Sequence, residues 1–196
     1  MMARPKQNQW GPTAQERIEE AFWAMLAEGS YEAITITALA KRAGVNHNTI
    51  YYYFDGIDDL TLQFFRRNVP KGICDLFRTL LLEGPKELEE YILQEEVLVK
   101  WQRVSLFARG DSPFLFQAFR DMITRNWYEI LGITPGELEQ EEETELEFIL
   151  SGLIAVMGKV FQMNDPKVVL TLLDRPIGHG VLTSLQALYR GPGPQA

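Results

Sequence analysis

Thr35-Ile-Thr-Ala-Leu-Ala-Lys-Arg-Ala-Gly-Val-Asn-His-Asn-Thr-Ile-Tyr-Tyr-Tyr-Phe54 reads as two short helices joined by a tight turn. Thr35 is placed to cap the first helix with its hydroxyl, and Ile36, Leu39, Ala40 and Ala43 form an apolar row at helical spacing. Gly44 follows the last helical residue, where the backbone wants a positive φ that glycine adopts at little cost. Val45 plugs the turn, and Asn46 caps a second helix running roughly from His47 to Tyr53. Ile50 and Phe54, four apart, turn inward. His47, Asn48, Thr49, Tyr51, Tyr52 and Tyr53 are then largely left for other surfaces. An exposed helix tip of donors and acceptors, braced by a crossing helix, is the helix-turn-helix geometry that fits the DNA major groove.

Upstream, Thr13 opens a helix with Glu16 three residues on, the pattern of a capping box. Ile18, Ala21, Phe22, Met25 and Leu26 make its inward face, Gly29 ends it, and Tyr31 is expected to pack the corner. This helix braces the helix-turn-helix without reading bases. Downstream, a fourth helix is expected from Asp58 to Arg67, with Leu60, Leu62, Phe64 and Phe65 apolar and Pro70 at its end. The run Ala43-Gly-Val-Asn-His-Asn-Thr-Ile-Tyr-Tyr-Tyr-Phe54, followed by Asp58-Asp-Leu60, resembles the signature of the TetR/AcrR family of bacterial regulators. Glycine turn, cap, Thr-Ile-Tyr-Tyr-Tyr-Phe run and acidic-Leu helix start all fall at matching spacing, and the N-terminal part alone carries the likeness. It implies an all-α fold. A three-helix DNA-binding head with its arm spans 1–57, and a helical effector-binding and dimerisation body spans 58–196. The fourth helix would link the two, its tilt setting the spacing of paired heads.

Composition sets further bounds. Of the 196 residues 46% are hydrophobic, enough for a substantial core. The net charge of −8 is an unfavourable balance for a nucleic-acid binder, whose affinity rests largely on neutralising phosphates. The lone cysteine, Cys74, rules out an internal disulfide and fits a reducing cytosol. The first residues lack an apolar signal-peptide core, and the longest apolar stretch, Phe148 to Val156, is too short to span a membrane. A cytoplasmic protein is expected. Enzymatic alternatives fail on inventory: there are two histidines, His47 and His179, and no metal-ligand spacing, phosphate-cradling glycine loop or nucleophile elbow. No cofactor and no metal are expected.

Residues 1–12 read as a polar arm whose Arg4 and Lys6 either reach DNA or are simply solvated. The body reads as helix throughout. One helix is expected from Lys71 to Leu82. A second, starting at Pro85, carries Leu88, Tyr91, Ile92, Leu98 and Trp101, with Glu95 on its apolar row as an orienting polar group or an edge-of-core carboxylate. A third starts at Pro113 with Phe116, Phe119, Ile123, Trp127 and Ile130 on one face. Seven glutamates between Glu137 and Glu147 mark a solvated linker and helix start. From Leu146 the residues Ile149, Leu150, Leu153, Met157, Val160 and Phe161 form a bulky stripe beside a small-residue row of Ser151, Ala155 and Gly158. After a short helix from Pro166 to Asp174, broken by Pro176, the last helix pairs Val181, Leu182, Leu185, Leu188 and Tyr189 with a small row of Gly180, Ser184 and Ala187. Each small row packs either inside the subunit or against a symmetry mate. In the resembling family this part of the chain forms a four-helix dimer bundle.

Carried across position by position, the resemblance implies DNA contacts for Thr35, Thr37, His47, Asn48, Thr49, Tyr51 and Tyr53. His47 and Asn48 hold the variable tip that sets sequence preference, and asparagine suits adenine through a bidentate pair worth about 1–3 kcal/mol of discrimination. Thr49, Tyr51 and Tyr53 match positions that bind phosphates, while Tyr52 is expected to pack. The departures are Asp55 and Ile57, which stand where the family often has polar or basic residues, including a phosphate-touching lysine. Through residue 60 the cations Arg4, Lys6, Arg17, Lys41 and Arg42 face eight carboxylates, so the head is acidic by three charges. With at most about four cations per subunit on DNA, a dimer's log–log salt slope would be no steeper than about −7. The resemblance also implies a small hydrophobic effector in the body, with Tyr91, Trp101, Phe107, Phe116, Phe119, Met122 and Trp127 as lining candidates, although aromatics at helical spacing equally make plain core. His179 is expected in a turn or as a satisfied core histidine, and Cys74 as buried and inert. The expected function is a homodimeric, ligand-responsive regulator of palindromic DNA operators, most simply a repressor. The alternatives are a co-activator or adaptor working through protein contacts, and a ligand carrier.

Overall fold

The computed structural model describes residues 12–162 and 167–191. The arm with Arg4 and Lys6, the residue Pro166, the side chains of Ile92, Val160 and Phe161, and the tail beyond Gly191 lie outside what is described. Among the described residues the regular elements are all helices. The chain divides into two compact units, one ending at Arg66 and the other starting at Arg67.

In the first unit, α1 (Ala14–Glu28) begins at the expected capping box: Thr13 Oγ1 accepts from the Glu16 amide, and the Glu16 carboxylate accepts from the Thr13 amide at 2.7 Å. That backbone hydrogen bond, followed by the Thr13 hydroxyl, holds the Glu16 carboxyl below the usual carboxylate range. A single 3-10 turn (Tyr31–Ala33) leads to α2 (Ile36–Ala43), α3 (His47–Tyr53) and α4 (Ile57–Asn68). Tyr31 is buried, and its hydroxyl donates to Asp58 at 2.6 Å. Burial, then the Asp58 bond, pushes its phenol well above the ordinary range. The head's core is an aromatic cluster. Phe64, fully buried on α4, meets Phe22 of α1 at 5.6 Å and Phe54 at 5.2 Å between ring centroids. The sequence places the boundary before the fourth helix, at 57/58. The structure instead puts most of α4 in the head, because Leu60, Phe64 and Phe65 are buried there.

The second unit holds α5 (Ile73–Glu83), α6 (Lys86–Ile92), α7 (Glu95–Ser105), a 3-10 segment (Leu106–Arg109), α8 (Pro113–Leu131), α9 (Gln140–Gln162), α10 (Lys167–Leu173) and α11 (Pro176–Leu188). Phe107, Leu115, Phe119 and Leu131 form its fully buried centre. Where one helix is expected from Pro85 to Trp101, the structure has two. Gln94 adopts extended backbone and starts α7, whose first turn carries Glu95 and Glu96, charges that favour a helix N-terminus. Glu95 is therefore solvent-exposed, not at the edge of a core. Pro176 occupies the first turn of α11 and begins that helix. His179 lies exposed within α11, in neither a turn nor a core.

Candidate functional site

The turn between α2 and α3 is built by the chain's own local chemistry. Thr35 Oγ1 accepts from the Ala38 amide at 3.1 Å and caps α2. Gly44 takes φ 63° and ψ 38°, the left-handed conformation. Its amide reaches the Lys41 carbonyl, and the Val45 amide reaches the Ala40 carbonyl at 3.0 Å, so the last carbonyls of α2 are satisfied as the chain reverses. Asn46 Oδ1 then accepts from the Asn48 amide at 2.9 Å and starts α3. Ile50 and Phe54 are buried, which fixes the rotation of α3 about its axis.

That rotation decides what faces outward. His47 and Asn48 are exposed at the helix tip, as are Thr35 and Thr37 at the start of α2. Thr49 is half-buried. Tyr51 is 56% and Tyr53 40% exposed, the latter resting against Phe54 at 6.1 Å. The expectation that Tyr52 packs is overturned: it is 81% exposed. Tyr52 follows Asn48 by four residues and so lies one turn along the same outward face, a relation legible in the spacing. Its ring makes an edge contact with Tyr53 at 4.9 Å. The face offers neutral donors, acceptors and aromatic rings.

The surrounding charges are spare. Arg42 Nη1 and Nη2 both donate to the Glu28 carboxylate, at 2.5 and 2.6 Å. The shared hydrogen bond lowers the Glu28 pKa and raises that of Arg42. Arg17 Nη1 points to the Gly44 carbonyl at 3.5 Å. At the start of α4, Asp59 accepts from the Asp55 amide and from Gln63 Nε2, each at 3.0 Å, while Ile57 is half-buried. The acidic turn thus serves the helix N-terminus and supplies no cation.

A polar helix displayed on a brace by a glycine-capped turn makes the head a helix-turn-helix DNA-binding domain. Residues 18–64 match the family described as bacterial regulatory proteins, tetR family, so the head is similar to the DNA-binding domain of those transcriptional regulators. No curated protein and no solved structure matches the chain.

In the body, an apolar cavity of about 120 Å³ opens between α5, α8, α9 and α11. Tyr91, Trp101 and Trp127 from the sequence candidates stand on its wall. Phe107, Phe116, Phe119 and Met122 do not: Phe107 and Phe119 are fully buried elsewhere in the body. Aliphatic side chains that sequence reasoning passed over, among them Leu76, Leu153 and Leu182, complete the wall, as does Asn126. Asn126 shares a face of α8 with Ile123, Trp127 and Ile130, and a polar residue on an apolar row is the signal that would have found it. Cys74 is half-buried, and burial followed by the nearby Glu129 pushes its thiol up to about 11. Such a thiol carries little thiolate at neutral pH. No helix among the described residues is long and apolar enough to cross a membrane.

Proposed function

We propose that the protein is a cytoplasmic, homodimeric repressor that binds a palindromic operator and leaves it when a small effector enters the body cavity. The observation that carries this reading is α3, whose outward face holds His47, Asn48, Tyr51 and Tyr52, all exposed among the described residues of the head. Asn48 reads a base edge, with His47 beside it. Thr35, Thr37, Thr49, Tyr51 and Tyr53 hold sugar-phosphate, and Tyr52 joins them. Anisotropy titrations with DNA from the protein's own promoter region test this. Asn48→Ala is expected to lower affinity about tenfold or more for promoter DNA and to leave binding to scrambled DNA unchanged. Equal affinity of the unaltered protein for both DNAs would reject base reading by α3.

Pairing through α9 and α11 is supported by what their outer faces expose. Phe148 is 77% exposed and shares a face of α9 with Ser151, Gly152 and Ala155; Ile177, 61% exposed, precedes Gly180 and Ala187 on α11. Large exposed apolar side chains beside small residues suit close helix packing across a two-fold axis. Gly158 departs from the row: a Cβ there would stand 2.8 Å from the Ala108 carbonyl oxygen, so it packs within the body. Phe148→Glu is expected to convert the dimer to monomer in sedimentation velocity, with helical content unchanged. A persistent dimer would place the interface elsewhere.

Within the body, Trp101 lines the cavity, and Arg103, two residues on, donates to the buried Asn68 at 3.3 Å. An effector that completes the switch must favour the released state by about 5.5 kcal/mol. A protein-contact adaptor is the second reading, favoured by Arg42 being tied to Glu28 and by the acidic head. It predicts weak or no DNA binding in the same titration.

A further inference from the structure

We propose that the body cavity selects an uncharged molecule of single-ring size bearing one hydrogen-bonding group, and that Asn126 reads that group. This rests on taking the cavity as the effector site and adds the ligand's chemistry.

Three observations carry it. The first is charge: among the described residues, none on the wall is Asp, Glu, Lys, Arg or His. An ionised ligand would lose its hydration there with no counter-ion to replace it, a heavy penalty in an apolar enclosure. The second is size. At about 120 Å³ the cavity is slightly smaller than the ~150 Å³ apolar cavity known to stay dry and accept benzene. It fits one ring with a short substituent, and Trp127 with Phe77, their centroids 5.6 Å apart, supplies flat apolar wall.

The third is polarity. Besides the indole edges of Trp101 and Trp127, two of the described wall side chains carry polar groups, Tyr91 and Asn126. The Tyr91 hydroxyl already donates to the Lys71 carbonyl at 3.3 Å. Burial raises the Tyr91 pKa, so it brings no negative charge. Asn126 makes no side-chain hydrogen bond to another described residue, and its amide both donates and accepts. A ligand amide, ketone or hydroxyl opposite Asn126 would satisfy it. A purely hydrocarbon ligand would displace water from that amide without replacing its hydrogen bonds, which is costly.

The test uses the full-length protein and three probes of nearly equal shape: benzamide, benzoate and ethylbenzene. Binding is followed by calorimetry at neutral pH and by tryptophan fluorescence, since Trp101 and Trp127 stand on the wall. Benzamide is expected to bind at least about 100-fold more tightly than benzoate. Asn126→Leu should reduce the preference for benzamide over ethylbenzene about tenfold, while ethylbenzene binding persists and shows the variant folded. Benzoate binding as tightly as benzamide, no binding of any probe, or an unchanged preference in Asn126→Leu would overturn the assignment. Binding in the expected order without any change in affinity for promoter DNA would uphold the ligand class and reject the effector role.

Discussion

Phe64→Ala is expected to unfold the head and abolish DNA binding while the body stays folded. Phe64 is fully buried, between Phe22 of α1 and Phe54 at the end of α3, and so ties together the brace, the recognition helix and α4. Truncating such a ring costs about 3–5 kcal/mol, through lost transfer energy and the cavity left behind. At roughly 0.05–0.15 kcal/mol per residue, a unit of this size holds only about 3–10 kcal/mol of stability. One substitution therefore removes most of what holds α3 in place. The body has its own buried centre in Phe107, Leu115, Phe119 and Leu131. Hydrogen exchange read by peptide separates the outcomes. Protection should vanish in peptides from α1 to α3 and persist in α8. Loss of protection in both units together would show one cooperative block, and protection kept in both would show that the aromatic cluster is not the head's keystone.

The second large effect comes from two glycines that flank His179 in the same helix. An alanine Cβ at Gly178 would lie 2.3 Å from the Leu172 carbonyl oxygen and 2.6 Å from the Leu173 Cα, both backbone atoms with little freedom to yield. At Gly180 the added carbon would meet nothing within 4 Å. Helix propensity alone favours alanine at either place by about 0.5–1 kcal/mol. At Gly178 the clash reverses the sign, because α11 must move off α10, and overpacking of this kind costs about 1–3 kcal/mol or more. Gly178→Ala is thus expected to lower the body's melting temperature by several degrees, about 2–4 °C per kcal/mol. Gly180→Ala should raise it slightly in a Phe148→Glu background, where pairing through the outer faces is removed. Equal and favourable shifts from both would mean that α10 and α11 do not approach so closely.

What was legible in the sequence follows from the range over which each feature is decided. The caps at Thr13, Thr35 and Asn46, the left-handed Gly44 and the inward Ile50 and Phe54 depend on neighbours within a few residues. All of them stand in the structure as the spacing implies. The break at Gln94 carries no glycine or proline to announce it; its trace is the pair of glutamates that follow. An aromatic residue such as Tyr52 invites a packing partner, yet its spacing from Asn48 sets it outside. The cavity was least legible. Phe107 and Leu153 look alike in a periodicity pattern, and the meeting of α5, α8, α9 and α11 decides that one is core and the other wall. Gly158 looks like the small residues before it, yet the close approach of Ala108 turns its role inward.

The central claim is that a neutral helix face, not a cationic surface, holds the DNA. Arg42 is already engaged by Glu28, and the head's carboxylates outnumber its cations. The affinity of the full-length protein for its own promoter DNA, measured across a series of salt concentrations, tests this most directly. A sequence-specific complex whose log–log slope is no steeper than about −7 is the result expected. A slope near −10, or no specific complex at the lowest salt, would contradict it.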